Sequence, residues 1–171
     1  MAIAGIEQPE LLPVGEGLRL RKFDGCCAAA LAWYQDPETV YLVDGVTRPY
    51  TPEKLERMYR CLEGRGELYW IELCENGVWR PVGDVTFSQT DLPIVIGERS
   101  IRGRGIGRRV VAALMERART LGWRELWVEE IYAYNTGSRR CFEHAGFCAC
   151  AATEKGARYH CVLGEAPRET T

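Results

Sequence analysis

The chain has 171 residues, 46% hydrophobic and 27% charged, with a formal net charge of −2. That length suits a single domain over residues 1–171, large enough to bury about 70% of its unfolded surface. A slightly acidic total excludes a phosphate-backbone binder driven by bulk electrostatics, so no nucleic-acid partner is expected. No apolar run reaches the roughly 18 residues that span a bilayer, and the N-terminus lacks the basic and long apolar regions of an export signal. The expectations are no membrane partner and a cytoplasmic location.

Residues 1–16 read as extended or poorly ordered. Leu18 to Lys22 alternates as a strand opener. Cys26 to Trp33 is an alanine-rich helix that fails before Asp36-Pro37, and Tyr41 to Pro49 is apolar and turn-rich. Thr51-Pro52-Glu53 is a strong helix start, with Thr at the N-cap and Pro in the first turn. Strands Glu67 to Cys74 and Val78 to Gln89 flank Asn76-Gly77, a hairpin signal. A short strand, Ile94 to Ile96, then leads into a glycine-rich turn and a helix from Gly105 to Leu121. Strand Glu125 to Ala133, a short helix from Ser138 to His144 and a closing hairpin, Phe147–Ala152 with Ala157–Leu163, complete the order. Residues 165–171 read as a tail.

Eight cysteines need a reading. No Cys-x-x-Cys pair occurs, so zinc-ribbon and thioredoxin motifs are absent and no metal is expected. Cys148 facing Cys161 beside His160 would be a conceivable metal or redox cluster. Reduced, buried thiols acting as small hydrophobes are the preferred reading.

The turn Arg102-Gly103-Arg104-Gly105-Ile106-Gly107 carries the chemistry. Glycine lets backbone N–H groups approach a ligand, and a helix N-terminus attracts anions. A Walker loop would need a Lys-Ser/Thr that is missing, and a dinucleotide fingerprint would need glycine at Arg108. The turn does match Arg/Gln-x-x-Gly-x-Gly, and Asn135, Ser138 and Gly146-Phe147 follow in order. This set resembles the acyl-coenzyme A site of the GNAT superfamily of N-acetyltransferases, with motifs spanning Ile94 to Phe147.

The resemblance implies an α/β (α+β) fold: a mixed, mostly antiparallel central sheet of about seven strands with helices on both faces, splayed between strands 94–97 and 125–133. It implies acetyl-coenzyme A as co-substrate. The N–H groups of Gly103, Arg104, Gly105, Ile106, Gly107 and Arg108 would hold the pyrophosphate, with Arg102 opening the motif. Val95, Ile96 and Gly97 would pair with the pantetheine arm, which Asn135 also contacts, with Ser138 beside it. Arg99, Arg102, Arg104, Arg108 and Arg109 cluster here, suited to phosphate neutralisation or to an ordinary solvated surface.

Acetyl transfer needs a neutral amine, whereas a lysine-like amine with pKa about 10.4 is protonated at pH 7. Glu130, five residues before Asn135, is the first choice of general base, as some relatives place a Glu there. Alternation would put Leu126, Val128, Glu130 and Tyr132 on one face. Asp84, interrupting an apolar strand, is the reserve. Many relatives carry a tyrosine acid seven residues after the Asn, where this chain has Phe142; Tyr132, Tyr134, water or no acid at all would replace it.

The acceptor region would draw on Trp33 to Tyr50 and Ser88 to Pro93, with Tyr34, Tyr41, Tyr50, Asp36, Asp44 and Asp91 suiting a cationic amine. Small cationic amines (aminoglycoside- or polyamine-like) and protein N-termini or lysines are the acceptor classes. A catalytically silent acyl-coenzyme A binder or sensor is the alternative, prompted by Phe142, and an unrelated nucleotide-binding α/β protein is a third reading. Self-association as a homodimer is known among relatives and has no signal in these residues.

Overall fold

The computed structural model describes residues 3–164. Its elements are β1 (Leu11–Gly15), β2 (Leu18–Lys22), α1 (Leu31–Gln35), α2 (Pro37–Asp44), α3 (Pro52–Arg65), β3 (Glu67–Glu75), β4 (Val78–Phe87) and β5 (Ile94–Ile96). There follow α4 (Ile106–Thr120), β6 (Glu125–Tyr132), α5 (Thr136–His144), β7 (Cys148–Ala152) and β8 (Gly156–Val162). The strands form two sheets, ordered β1-β2-β3-β4-β5 and β6-β8-β7. Every strand pairing is antiparallel. The expected splay is therefore a complete break between β5 and β6, and eight strands replace about seven.

Alternation along β3 divides the interior. Tyr69 and Ile71 join a core with β2, β4, α4, α5 and the second sheet. Leu68 and Trp70 face the opposite way, into an aromatic cluster with Tyr34, Tyr50 and Tyr59 from the α1–α3 side. β5 alternates likewise: Ile94 and Ile96 pack on the first core and Val95 on the second. The sheet thus carries helices on both faces.

Four local expectations are refined or changed. The segment expected to be extended or poorly ordered contains β1, paired to β2 through Leu11↔Arg21 and Leu12↔Leu20. The first part of the stretch expected to be turn-rich, Tyr41–Asp44, belongs to α2, because Asp36-Pro37 ends α1 and starts the next helix. Asp36 caps it by accepting the Thr39 N–H at 3.1 Å, Pro37 occupies the first turn, and Gly45 closes it at φ 72°.

A third change lies in β6. Its pairing with β8 shifts between Val128 and Ile131, the mark of a bulge. Ile131, not Glu130, consequently joins Leu126 and Val128 in the core, so the expected alternating face breaks at Glu130. The fourth concerns the thiols. Only Cys161 is buried; Cys26, Cys61, Cys148 and Cys150 are exposed, and all eight are free. Cys148 pairs across the ladder with His160 rather than Cys161. Among the described residues no group of three or more His, Cys, Asp or Glu is placed to hold a metal ion, and no helix is long and apolar enough to cross a membrane. The expected tail at 165–171 lies outside the described residues.

Candidate functional site

The break between the sheets is a cleft of about 690 Å³, within the usual range for small-molecule sites. β5 forms one wall. Its inner edge pairs with β4 through Gly83↔Ile96, Asp84↔Val95 and Val85↔Ile94, and among the described residues no strand pairs with its outer edge. Val95 and Ile96 line the cleft. The Gly97 N–H is spent on Val82 O at 2.9 Å, and a side chain at Gly97 would collide with Trp33.

The glycine turn closes one end. Gly103 and Gly105 sit at φ 76° and 78° with open space around a notional Cβ, so conformation requires glycine there. At Gly107 the constraint is packing instead: a Cβ there would press on Cys141 Sγ at 3.2 Å, where α4 meets α5. Among the described residues, the N–H groups of Gly103 to Arg108 donate to no protein acceptor, and α4 begins within this run. Six consecutive free donors at the N-terminus of a 15-residue helix are chemically suited to cradle an anion.

The arginines divide. Arg102 turns away from the cradle: its N–H bonds to Arg99 O, its Nε to Ile96 O at 2.8 Å and its Nη2 to Thr39 Oγ1 at 2.8 Å. Burial pulls its pKa below the usual value. Arg99 pairs with Asp36 at 3.2 Å and with Glu38, and Arg109 donates to Glu16 O at 2.7 Å. Arg108 lines the cleft, and Arg104 is exposed beside it.

The opposite wall is β6 with the segment that follows. Glu130 and Tyr132 line the cleft, as do Asn135 and Ser138. The Asn-x-x-Ser spacing has a local reason: Asn135 Oδ1 caps α5 by accepting the Ser138 N–H at 3.1 Å. Glu130 accepts the Lys155 N–H from the β7–β8 turn at 3.3 Å. Tyr134 stacks between Tyr41, at 4.4 Å, and Tyr132, at 5.3 Å, and donates to Tyr41 O at 2.8 Å. Burial, then the nearby Tyr132, Tyr41 and acids, push its pKa up to about 12. Phe142 is buried against Phe147 at the floor of the cleft.

Asp84 lies elsewhere. It is 3% exposed, inside the aromatic cluster, and accepts the Tyr34 and Tyr59 hydroxyls at 3.0 and 2.8 Å. Burial raises its pKa to about 6 against the opposing effect of those two bonds. It does not line the cleft.

Most of the expected acceptor residues are structural. Asp36 caps a helix and Tyr50 is buried with its hydroxyl on Asp44 at 2.6 Å; Asp91 does line the cleft, its carboxylate accepting the Glu129 N–H at 3.0 Å. Within the expected Trp33 to Tyr50 region the cleft is lined by Thr39, Leu42 and Val43 of α2, whose helical form was not expected; Lys155, absent from the expectations, lies near Gly45 and Tyr132. The Asp-Pro helix start was the available signal for α2; Lys155 had none.

Comparison with known proteins bears on this geometry. The family model described as an acetyltransferase (GNAT) domain matches residues 18–148. A domain from Methanocaldococcus jannaschii superposes with TM-score 0.73 at 24% identity, covering 85% of this chain and 98% of that one. A Salmonella typhimurium acetyltransferase that modifies the N-terminal serine of ribosomal protein L7/L12 gives 0.67 at 19%, covering 91% and 100%. AAC(6')-Ib in complex with ribostamycin and coenzyme A gives 0.66 at 19%, covering 86% and 94%. No curated protein sequence matches significantly. The domain match spans most of the chain, and the fold, the break between β5 and β6 and the glycine turn agree with it: this protein belongs to the GNAT family of acetyltransferases.

Proposed function

We propose that this protein transfers an acetyl group from acetyl-coenzyme A to a primary amine, by direct attack within a ternary complex. The observation that carries the reading is the run of free N–H groups from Gly103 to Arg108 beside the unpaired outer edge of β5. These features fit both ends of the coenzyme. The cradle suits a pyrophosphate, and an open strand edge suits an amide-bearing arm held by main-chain hydrogen bonds. Acetyl-coenzyme A supplies the acetyl group as an activated thioester.

Glu130 is the proposed general base. It lines the cleft on the wall that follows the break, at the end nearer α2 and the β7–β8 turn. There it takes the proton from an incoming ammonium, an effect typically worth about 10²–10⁴ in rate. Asp84 is assigned to structure, since its carboxylate is enclosed by Tyr34 and Tyr59. Of the two tyrosines, Tyr132 lines the cleft, whereas the Tyr134 hydroxyl is committed to Tyr41 O. A thiolate with pKa about 8.5 leaves without a strong acid, so Phe142 is compatible with turnover.

For the acceptor we favour an amine presented by a small cationic molecule or a peptide N-terminus. The proteins of similar fold that modify a ribosomal protein N-terminus or bind ribostamycin support that range. The test is thiol release from acetyl-coenzyme A across a panel of aminoglycosides, polyamines and peptides. Acetyl-coenzyme A binding without turnover on any amine would favour the second reading, a silent acyl-coenzyme A sensor, for which Phe142 is the supporting observation.

A further inference from the structure

We propose that Arg102 is a positioning residue that ties the anion-binding turn to α2, so that filling the turn stiffens the acceptor-side wall of the cleft. The proposal rests on the coenzyme A reading of that turn. Arg102 lines the cleft, but the hydrogen bonds its side chain makes are to β5 and α2 rather than to the cradle. Nε holds the carbonyl of Ile96, the last residue of β5. Nη2 holds Thr39 Oγ1 in the first turn of α2. Nη1, buried and without a hydrogen bond, faces the Glu38 carboxylate at 3.5 Å.

Thr39 continues the link. It is 1% exposed, and its hydroxyl, while accepting from Arg102, donates to Asp36 Oδ2 at 2.9 Å. Asp36 in turn caps α2 and pairs with Arg99, three residues before Arg102. The far end of α2 is held by the Tyr134 hydroxyl on Tyr41 O. α2 therefore lies across the cleft, anchored to the β5 side by Arg102 and to the β6 side by Tyr134. A planar guanidinium can span two acceptors in fixed directions, whereas a lysine is a single point charge. Arg102 immediately precedes Gly103, so the residue that fixes where the cradle begins also fixes α2. An anion that orders the cradle orders the helix through the same anchor, and by linkage an acceptor that orders α2 tightens the cofactor.

The test is amide hydrogen exchange in α2, with and without coenzyme A, alongside calorimetric coenzyme A binding. The proteins compared are wild type, Arg102→Lys, Thr39→Val and Thr39→Ser. Coenzyme A should slow α2 exchange by at least about fivefold in wild type and Thr39→Ser, and by less than about twofold in Arg102→Lys and Thr39→Val. Thr39→Val, which leaves the turn itself untouched, should keep coenzyme A affinity within about threefold of wild type. Arg102→Lys weakening coenzyme A by more than about tenfold, with the α2 response intact, would overturn the proposal and make Arg102 an anion ligand. Wild type that fails to bind millimolar coenzyme A would sink the cofactor reading and the coupling together. The clamp itself is then judged in the free protein: α2 exchange equal in Thr39→Val and Thr39→Ser overturns it as well.

Discussion

The Glu130 carboxylate accepts the backbone N–H of Lys155 at 3.3 Å, joining the bulged strand β6 to the β7–β8 turn. One donor orients the carboxylate. Glu130→Gln keeps an acceptor for that N–H and removes the base. We expect kcat/KM for the amine to fall at least about tenfold at pH 7, with coenzyme A affinity unchanged. The defect should shrink as pH approaches about 10, where the amine sheds its own proton. Thiol-release rates from pH 7 to 10 check this; a loss below tenfold at pH 7 would move the base elsewhere.

Gly105 and Gly122 share nearly the same left-handed backbone, φ 78° and 76°, and both have open space around a notional Cβ. Alanine at either costs about 1–2 kcal/mol in that conformation. Only Gly105 lines the cleft. Gly105→Ala should weaken coenzyme A about tenfold, whereas Gly122→Ala should lower stability alone. Calorimetric titration of the two variants separates site from scaffold.

Asp84 gives a pH signature. Its carboxyl titrates near 6 in the fold, against about 3.9 unfolded. The folded state therefore binds the extra proton between those values. Stabilisation is fully present below pH about 4 and is lost as pH rises through about 6, a change of about 2–3 kcal/mol. Asp84→Asn removes the titration. Urea unfolding at pH 4 and pH 7 should show wild type losing stability relative to Asp84→Asn by about that amount; parallel pH profiles would refute the account.

The pair Glu67–Arg117 is enclosed, with side chains 1% and 11% exposed and the Tyr69 hydroxyl also on Glu67 at 2.7 Å. Arg117→Met strands a buried carboxylate and should cost about 3–5 kcal/mol. Adding Glu67→Gln to it should restore part of that loss, because an amide is cheaper to bury than an unpaired charge. Denaturant midpoints of the two single variants and the double variant measure the coupling.

Which parts of this molecule could be read in advance follows from how local their causes are. The hairpin at Asn76-Gly77, the capped helix at Thr51-Pro52 and the glycine turn are each specified within about six residues, and each was legible. Asp36-Pro37 was read in half, as a stop, though the same two residues are a helix start. The parity of β6 failed because a bulge is set by the partner strand β8 rather than by the strand's own alternation. The cysteines were misjudged for a related reason: β7 is an edge strand exposed on both faces, and being an edge is a property of the sheet.

The sequence by itself determined the family and the glycine turn ahead of α4, since these depend on residue type at short spacing. The tertiary structure decided what the charged side chains do. It turned Arg102 from the cradle to Thr39, sixty-three residues away in the chain, and enclosed Asp84 between Tyr34 and Tyr59. It also set Lys155 against Glu130. A guanidinium or carboxylate takes whichever partner packing brings within hydrogen-bond reach, and that partner is fixed only when distant elements come together.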